Sequence, residues 1–227
     1  MNQFFKKMTV AGEKSFTSWF NWLFPHRCLS CHQTEHPEKT FNLCIFCWDQ
    51  IFRPQRTVFS QKPNCVIYAG GHYEGFLKRA LILSKFKHDL MSTEILITLI
   101  TEMFQKIHRP FDLISFIPSY YRRSLVRGVD LPALLAYELS KSTGIEFRTD
   151  ILKKRHYRQR QSLLSRNLRQ KNTVNLFKAE EMARGKNILI IDDVMTTGST
   201  ILSCYRALSR KKPAGVTFLT IAKTRYF

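Results

Sequence analysis

Residues 187–191 read Asn-Ile-Leu-Ile-Ile, an apolar run rich in β-branched side chains. It is too short for a helix and predicts a strand buried on both faces. Two runs of the same kind, Cys-Val-Ile-Tyr-Ala at 65–69 and Asp-Leu-Ile-Ser-Phe-Ile at 112–117, predict two more strands, the first ending in a Gly70-Gly71 turn. Between them the period changes. Over 74–87, Phe76, Leu77, Ala80, Leu81, Leu83 and Ser84 fall along one side of a helix that ends in Lys85-Phe86-Lys87-His88. Residues 92–106, 131–140 and 201–208 also read as helices. Strands alternating with helices at these spacings predict an α/β domain around a parallel sheet.

The first sixty residues follow a different pattern. Phe16, Trp19, Phe20, Leu23 and Phe24 share one face of an amphipathic helix over 1–24, with Lys6, Lys7 and Lys14 elsewhere. Such a helix either packs on the module that follows it or lies in the plane of an anionic membrane. A polar, proline-punctuated stretch at 53–64 reads as a linker. The expected organisation is a helix at 1–24, a small cysteine-bearing module at 25–60 and the α/β domain at 61–227.

Composition narrows the setting. Hydrophobic residues make up 44% of the 227 positions, which excludes a disordered chain. No apolar run approaches the roughly 18 residues of a membrane span, and no signal-peptide pattern is present, so the expected location is the cytoplasm. Thirty-six Lys and Arg against 17 acids leave a net charge of +19. That excess points to a polyanionic partner or an anionic membrane surface.

Cys28-Leu29-Ser30-Cys31 and Cys44-Ile45-Phe46-Cys47 are two C-x-x-C knuckles with twelve residues between them. Each can turn two thiolates toward one tetrahedral ion, and four soft ligands close the coordination sphere, as in a structural Zn²⁺ site. A redox pair is the competing reading, but redox chemistry needs only one such knuckle. His26, His32 and His36 lie nearby without being required, and Cys65 and Cys204 read as core residues.

After the 187–191 run come Asp192 and Asp193, then Thr196-Thr197-Gly198-Ser199-Thr200 and a helix. A helix opening out of a small-residue loop leaves backbone N–H groups free for a phosphate. Adjacent acids would repel a phosphate and instead suit sugar hydroxyls or Mg²⁺ held through water. Pro118-Ser119-Tyr120-Tyr121-Arg122-Arg123 follows the 112–117 strand, and in a parallel sheet both loops open at the same end. Its small residues and its arginines suit a diphosphate. Residues 153–171 hold eight Lys or Arg and no acid, with His156 and Tyr157 interleaved. Arg155, Arg158, Arg160, Arg166 and Arg169 could follow a single-stranded backbone while Tyr157 stacks on a base. Arg206, Arg210, Lys211 and Lys212 form a second basic group.

The order of apolar strand, acid pair and Thr-Thr-Gly-Ser-Thr resembles the ribose-phosphate signature of type I phosphoribosyltransferases. The chain as a whole, over about 27–223, is similar to the ComF family of DNA uptake in natural transformation. The positions that carry this likeness are Cys28, Cys31, Cys44, Cys47, Lys85, Lys87, Pro118, Arg123, Arg127, Gly128, Gln161, Arg166, Asn172 and 192–200. Ile117-Pro118-Ser119 stands where that family usually has Pro-Val-Pro, and Gly128-Val129-Asp130-Leu131 where it has Gly-Phe-Asn-Gln. The resemblance implies a phosphoribosyltransferase-like fold with a zinc module and a hood formed by the basic run. It also implies 5-phosphoribosyl-1-diphosphate with Mg²⁺ as ligand, single-stranded DNA and DNA-uptake proteins as partners, and contact with the inner membrane. An active Mg²⁺-dependent transferase acting on a nucleobase is the alternative. A redox or zinc-only interaction protein leaves the acid-pair motif without a use.

Overall fold

The structure, a computed structural model, describes residues 28, 30–31, 33, 38–40, 43–51, 55–58, 65–118, 130–155 and 176–225. The chain divides into two compact units, residues 1–50 and 51–227. The helix expected over 1–24 lies outside the described residues.

In the first unit, β1 (Glu38–Thr40) pairs antiparallel with β2 (Leu43–Cys44), and α1 (Ile45–Ile51) follows directly. Leu43 and Trp48 are fully buried beneath this turn.

The second unit is built on a six-stranded sheet in the order β3-β4-β10-β9-β5-β6. Its strands are β3 (Gln55–Val58), β4 (Cys65–His72), β5 (Leu113–Phe116), β6 (Glu146–Phe147), β9 (Asn187–Met195) and β10 (Gly215–Lys223). All neighbouring pairs are parallel except β3 with β4. Alternate residues of the central strands face opposite ways, and Ile188, Leu189, Ile190, Ile191, Phe218, Leu219 and Ile221 are all fully buried, so both faces are covered. On one face lie α3 (Leu90–Gln105) and α4 (Leu131–Thr143), with α2 (Gly75–Lys87) packed on α3. On the other lie α5 (Ser199–Ser209) and a two-stranded antiparallel ribbon, β7 (Leu152–Lys154) with β8 (Phe177–Ala179).

Local chemistry sets the helix ends. Asp89 caps α3, its Oδ2 accepting from Ser92 N–H at 2.8 Å. Pro132 stands in the first turn of α4, and Gly144, at φ 72°, closes its last.

Three sequence expectations change. Residues 55–58, read as linker, are the edge strand β3; their backbone completes the free side of β4. The reading of the sequence has no strand at 215–223, where Thr217 and Thr220 interrupt the apolar run, yet β10 is central and both threonines are buried. Gly70-Gly71 is not a turn but the interior of β4. A Cβ on Gly70 would lie 2.6 Å from the Ile221 carbonyl oxygen and 2.9 Å from Met103 Sδ. The glycine is there for close approach of β10 and α3, not for a bend. Met103 can rotate away, whereas the Ile221 carbonyl belongs to the β10 backbone. Gly70→Ala is therefore expected to destabilise the protein by about 1–3 kcal/mol, measured as a lower denaturation midpoint in urea with the slope unchanged.

Candidate functional site

Two groups of side chains carry chemistry, one in each unit. In the first unit the Cys28 N–H donates to the Gln33 carbonyl at 3.0 Å, closing the turn that holds Cys28 and Cys31. Cys44 ends β2, and Cys47 stands in the first turn of α1. The four Sγ atoms all lie within 4.8 Å of one another, and Cys31 Sγ is 3.9 Å from Cys44 Sγ. Ligands about 2.3 Å from a tetrahedral ion are about 3.8 Å apart, so that spacing fits a metal. It is far too long for an S–S bond near 2.05 Å, and all four cysteines are free thiols.

Backbone donors prepare the cluster for charge. Cys28 Sγ accepts from Ser30 N–H and Cys44 N–H, both at 3.4 Å, and Cys44 Sγ accepts from Cys47 N–H at 3.4 Å. Burial raises the pKa of Cys28, but backbone donors outweigh it and bring the thiol down to about 6. Cys47 is pushed up to about 12, by burial first and by its thiol neighbours, despite a donor on Ser30. The spacing of the four sulfurs and the backbone donors on Cys28 fit a set of ligands for a dication such as zinc. His26, His32 and His36 lie outside the described residues.

The second group lies at the C-terminal end of β9. The sequence places the acid pair just beyond the strand; in the structure the strand continues through it to Met195, with Asp192 beside Thr220 and Met195 beside Lys223 on β10. On the other side, β5 stops pairing at Phe116 with Ile191. The last contact there is Ile117 N–H to the Ile191 carbonyl, 3.0 Å. β9 thus outruns β5 from Asp192 onward, and its carboxylates stand where one neighbour has ended. Their oxygens turn onto the chain itself: Asp192 Oδ1 accepts from Asp193 N–H at 2.9 Å, and Asp193 Oδ1 from Val194 N–H.

Lys85, in the last turn of α2, forms an ion pair with Asp193 Oδ2. Among the described residues Asp192 has no such direct ion-pair partner. It is half-buried in the densely packed centre of the sheet, and its pKa is pushed up to about 8, first by burial and then by the charge on Asp193. The Asp193 N–H and Lys85 act in the opposite direction without overcoming those effects.

The hydroxyl loop is held from the side. Thr224 donates from its hydroxyl to the Thr196 carbonyl at 2.9 Å and from its N–H to the Met195 carbonyl at 3.0 Å. Thr197 and Ser199 hydroxyls are 3.0 Å apart. Gly198, at φ 65°, turns the chain into α5 without a side-chain cap, leaving first-turn N–H groups to an outside acceptor. Thr196, Thr197, Ser199 and Thr200 are exposed.

Of the expected diphosphate loop, Pro118 is described and sits beside the acid pair, because Ile117 bonds to Ile191. Ser119, Tyr120, Arg122 and Arg123 lie outside the described residues. Of the expected DNA-binding residues, Arg155 is described and exposed, its N–H bonded to the Leu176 carbonyl at 2.9 Å at the open end of the β7–β8 ribbon. Tyr157, Arg158, Arg160, Arg166 and Arg169 lie outside. The ribbon pairs Lys154, near the start of the basic run, with Phe177.

Sequence reasoning missed the roles of Lys85 and Thr224. Lys85 showed as a cation at a helix end and as one of the positions that carry the ComF likeness, but nothing in its spacing connects it to Asp193. Thr224 follows a strand that the hydropathy pattern did not single out.

Residues 124–225 match the family profile described as phosphoribosyl transferase domain. The DNA utilization protein YhgH of Escherichia coli K12 is 31% identical over 113 residues, covering 50% of this chain and 50% of YhgH. YhgH of Salmonella typhi matches over the same length at the same identity. The chain spans about half the length of the curated relatives it matches. Among solved structures, adenine phosphoribosyltransferase from Leishmania tarentolae is similar at 11% identity and TM-score 0.42, covering 74% of this chain and 94% of that one. The glutamine phosphoribosylpyrophosphate amidotransferase of B. subtilis is similar at 18% identity and TM-score 0.41, covering 57% of this chain and 26% of that one. The α/β unit matches the phosphoribosyltransferase profile over 124–225, and a cysteine cluster able to hold a metal precedes it in the chain. The likeness to the ComF family drawn from the motifs is borne out by the match at 124–225 and by the identity to YhgH.

The raised pKa of Asp192 has a consequence for stability. From its ordinary value of 3.8 up to about 8, the unfolded chain has lost this proton while the native chain keeps it. Native stability therefore falls as pH rises through that window. Asp192→Asn removes the titration. Thermal melts of the ligand-free protein should show the variant several degrees more stable than wild type at pH 8, with the gap closing as pH falls toward 4. Because the carboxylate keeps some access to water, the gain is smaller than the full shift implies.

Proposed function

We propose that this chain is a ComF-type DNA-uptake protein whose phosphoribosyltransferase-like domain binds 5-phosphoribosyl-1-diphosphate with Mg²⁺ and which handles single-stranded DNA. The observation that carries the reading is the meeting of the acid pair, the hydroxyl loop and Pro118 where β9 outruns β5. Asp192 and Asp193 face the ribose hydroxyls and the water shell of Mg²⁺. Thr196, Thr197, Gly198, Ser199 and Thr200 receive the 5′-phosphate at the start of α5. Pro118, Ser119, Tyr120, Arg122 and Arg123 take the diphosphate, whose charge Mg²⁺ offsets when bound.

Support for the nucleic-acid half comes from the net charge of +19, from the acid-free run at 153–171 and from the name that YhgH carries. Arg155, Arg158, Arg160, Arg166 and Arg169 follow the DNA backbone, and Tyr157 stacks on a base. The cysteine cluster holds Zn²⁺ as a structural ion. We place the protein in the cytoplasm, with the amphipathic segment at 1–24 as its contact with the inner membrane or with uptake proteins. Among the described residues no helix is long and apolar enough to cross a membrane.

Calorimetric titration of the Mg²⁺-diphosphate sugar tests the first half. Joint replacement of Asp192 and Asp193 by Ala should weaken binding more than about tenfold, and Thr197→Ala about fivefold, the loss of a charged and of a neutral hydrogen bond respectively. Binding unchanged in both variants would move the site elsewhere. Diphosphate released on adding a nucleobase would make the protein a transferase.

Elemental analysis should find about one Zn²⁺ per chain. Cys44→Ser should reduce that content and lower protection of 28–50 against proteolysis, since binding of the ion supplies folding energy there. A metal-free, protease-resistant protein would overturn the zinc assignment.

A further inference from the structure

The opposite end of the sheet carries a second concentration of charge. Residues 184–186 lead into β9, and residues 210–214 join α5 to β10. The two stretches are stitched together: Gly185 N–H donates to the Lys212 carbonyl at 3.0 Å, and Ala214 N–H to the Lys186 carbonyl at 3.0 Å. They bring Arg184, Lys186, Arg210, Lys211 and Lys212 onto one rim, and Arg206 lies one turn before Arg210 on α5. Two acids are close by, and both are engaged. Glu181 pairs with Arg184 at 3.4 Å and with Lys211, while Asp112 Oδ2 accepts from Asn187 N–H at 2.7 Å. Lys186, Arg206, Arg210 and Lys212 are exposed on this rim.

Within the rim is a cavity of about 230 Å³ lined by Tyr205, Ser209, Lys212, Pro213, Gly215 and Val216. Its volume falls below the several hundred Å³ of a cofactor pocket, and suits one flat heterocycle. Tyr205 offers a ring, Ser209 a hydroxyl and Lys212 an ammonium, while Pro213 and Val216 supply apolar walls. Gly215 adds no side chain to the lining; a Cβ there would come within 2.9 Å of Asn187 Oδ1.

A slot lined by one aromatic ring and one lysine, on a rim that carries further cations, matches a polymer whose phosphates repeat along a backbone and whose bases are unpaired. Five residues of extended strand, about 17 Å, separate Asn187 at this end from Asp192 at the other, so the slot is not part of the sugar-phosphate site.

We propose that this rim is a contact surface for single-stranded nucleic acid, with phosphates along Lys186, Arg206, Arg210 and Lys212 and one base seated against Tyr205. The proposal rests on the nucleic-acid half of the function proposed above and is independent of the sugar-phosphate half. It assigns the strand a place in the folded sheet in addition to the basic run at 153–171.

Fluorescence anisotropy of a labelled oligothymidylate with the full chain, over a series of salt concentrations, tests it. Replacing Arg206, Arg210 and Lys212 together by Ala should weaken binding and flatten the plot of log K against log salt by about two units, at about 0.7 per phosphate contact. Ser209→Leu fills the slot without changing charge, and should weaken binding severalfold with the slope unchanged. Lys212→Glu is the smaller charge variant should the triple variant fail to fold, and should weaken binding in the same direction.

Wild-type affinity and slope in the charge variants overturn the proposal while leaving DNA binding elsewhere intact. Wild-type affinity in Ser209→Leu overturns the seating of a base. No oligonucleotide binding by the wild-type chain overturns both this surface and the nucleic-acid half of the proposed function. A triple variant that loses binding to vesicles of anionic lipid but keeps the oligonucleotide assigns the rim to a membrane instead.

Discussion

Two adjacent carboxylates inside a buried central strand are an electrostatic burden, and the α/β unit is arranged around relieving it. Burial raises the energy of either charge, and each raises the energy of the other. The fold meets this in three ways. β5 ends at Phe116, so the acids stand on a part of β9 that one neighbour no longer covers. Lys85 reaches across from α2 and compensates Asp193. Asp192, which forms no ion pair among the described residues, has its pKa pushed up to about 8. Each adjustment also leaves a group that can exchange its present partner for a ligand. Relief of local strain and readiness to bind are the same arrangement here.

The hydroxyl loop depends on that strand from the other side. Its position is set by β10, whose Thr224 holds the Met195 and Thr196 carbonyls. β10 runs between β4 and β9 and closes against β4 only because Gly70 has no side chain. A missing methyl group on β4 therefore lets the loop after β9 sit where it does. Packing of this kind transmits small volume changes because interiors are dense and have few voids.

The first unit is held by a different force. Among its described residues Leu43 and Trp48 are buried, and four thiols gathered within 4.8 Å could hold a metal as a cross-link. The backbone N–H groups aimed at Cys28 favour the thiolate that a metal requires. The cysteine cluster in one unit and sheet register in the other have the same effect: each gathers a few groups to within ångströms from segments apart in the chain.

The local sequence alone determined the features whose causes lie within about a dozen residues. Asn187 to Ile191 had to be a strand because no polar residue interrupts its β-branched run, and the paired C-x-x-C spacing pointed to four ligands for one ion. The order of acids, hydroxyls and glycine pointed to a turn suited to an anion, from local sequence alone. What only tertiary structure decided were relations between distant segments. These include Lys85 opposite Asp193, Thr224 on Thr196, Gly70 under Ile221, and residues 55–58 as an edge strand rather than a linker. Hydrophobic period tells a residue which face it occupies, but not which strand will lie beside it. That choice is made by the strand order, and the strand order sets how far β9 extends past β5, which is where the acids acquire their chemistry.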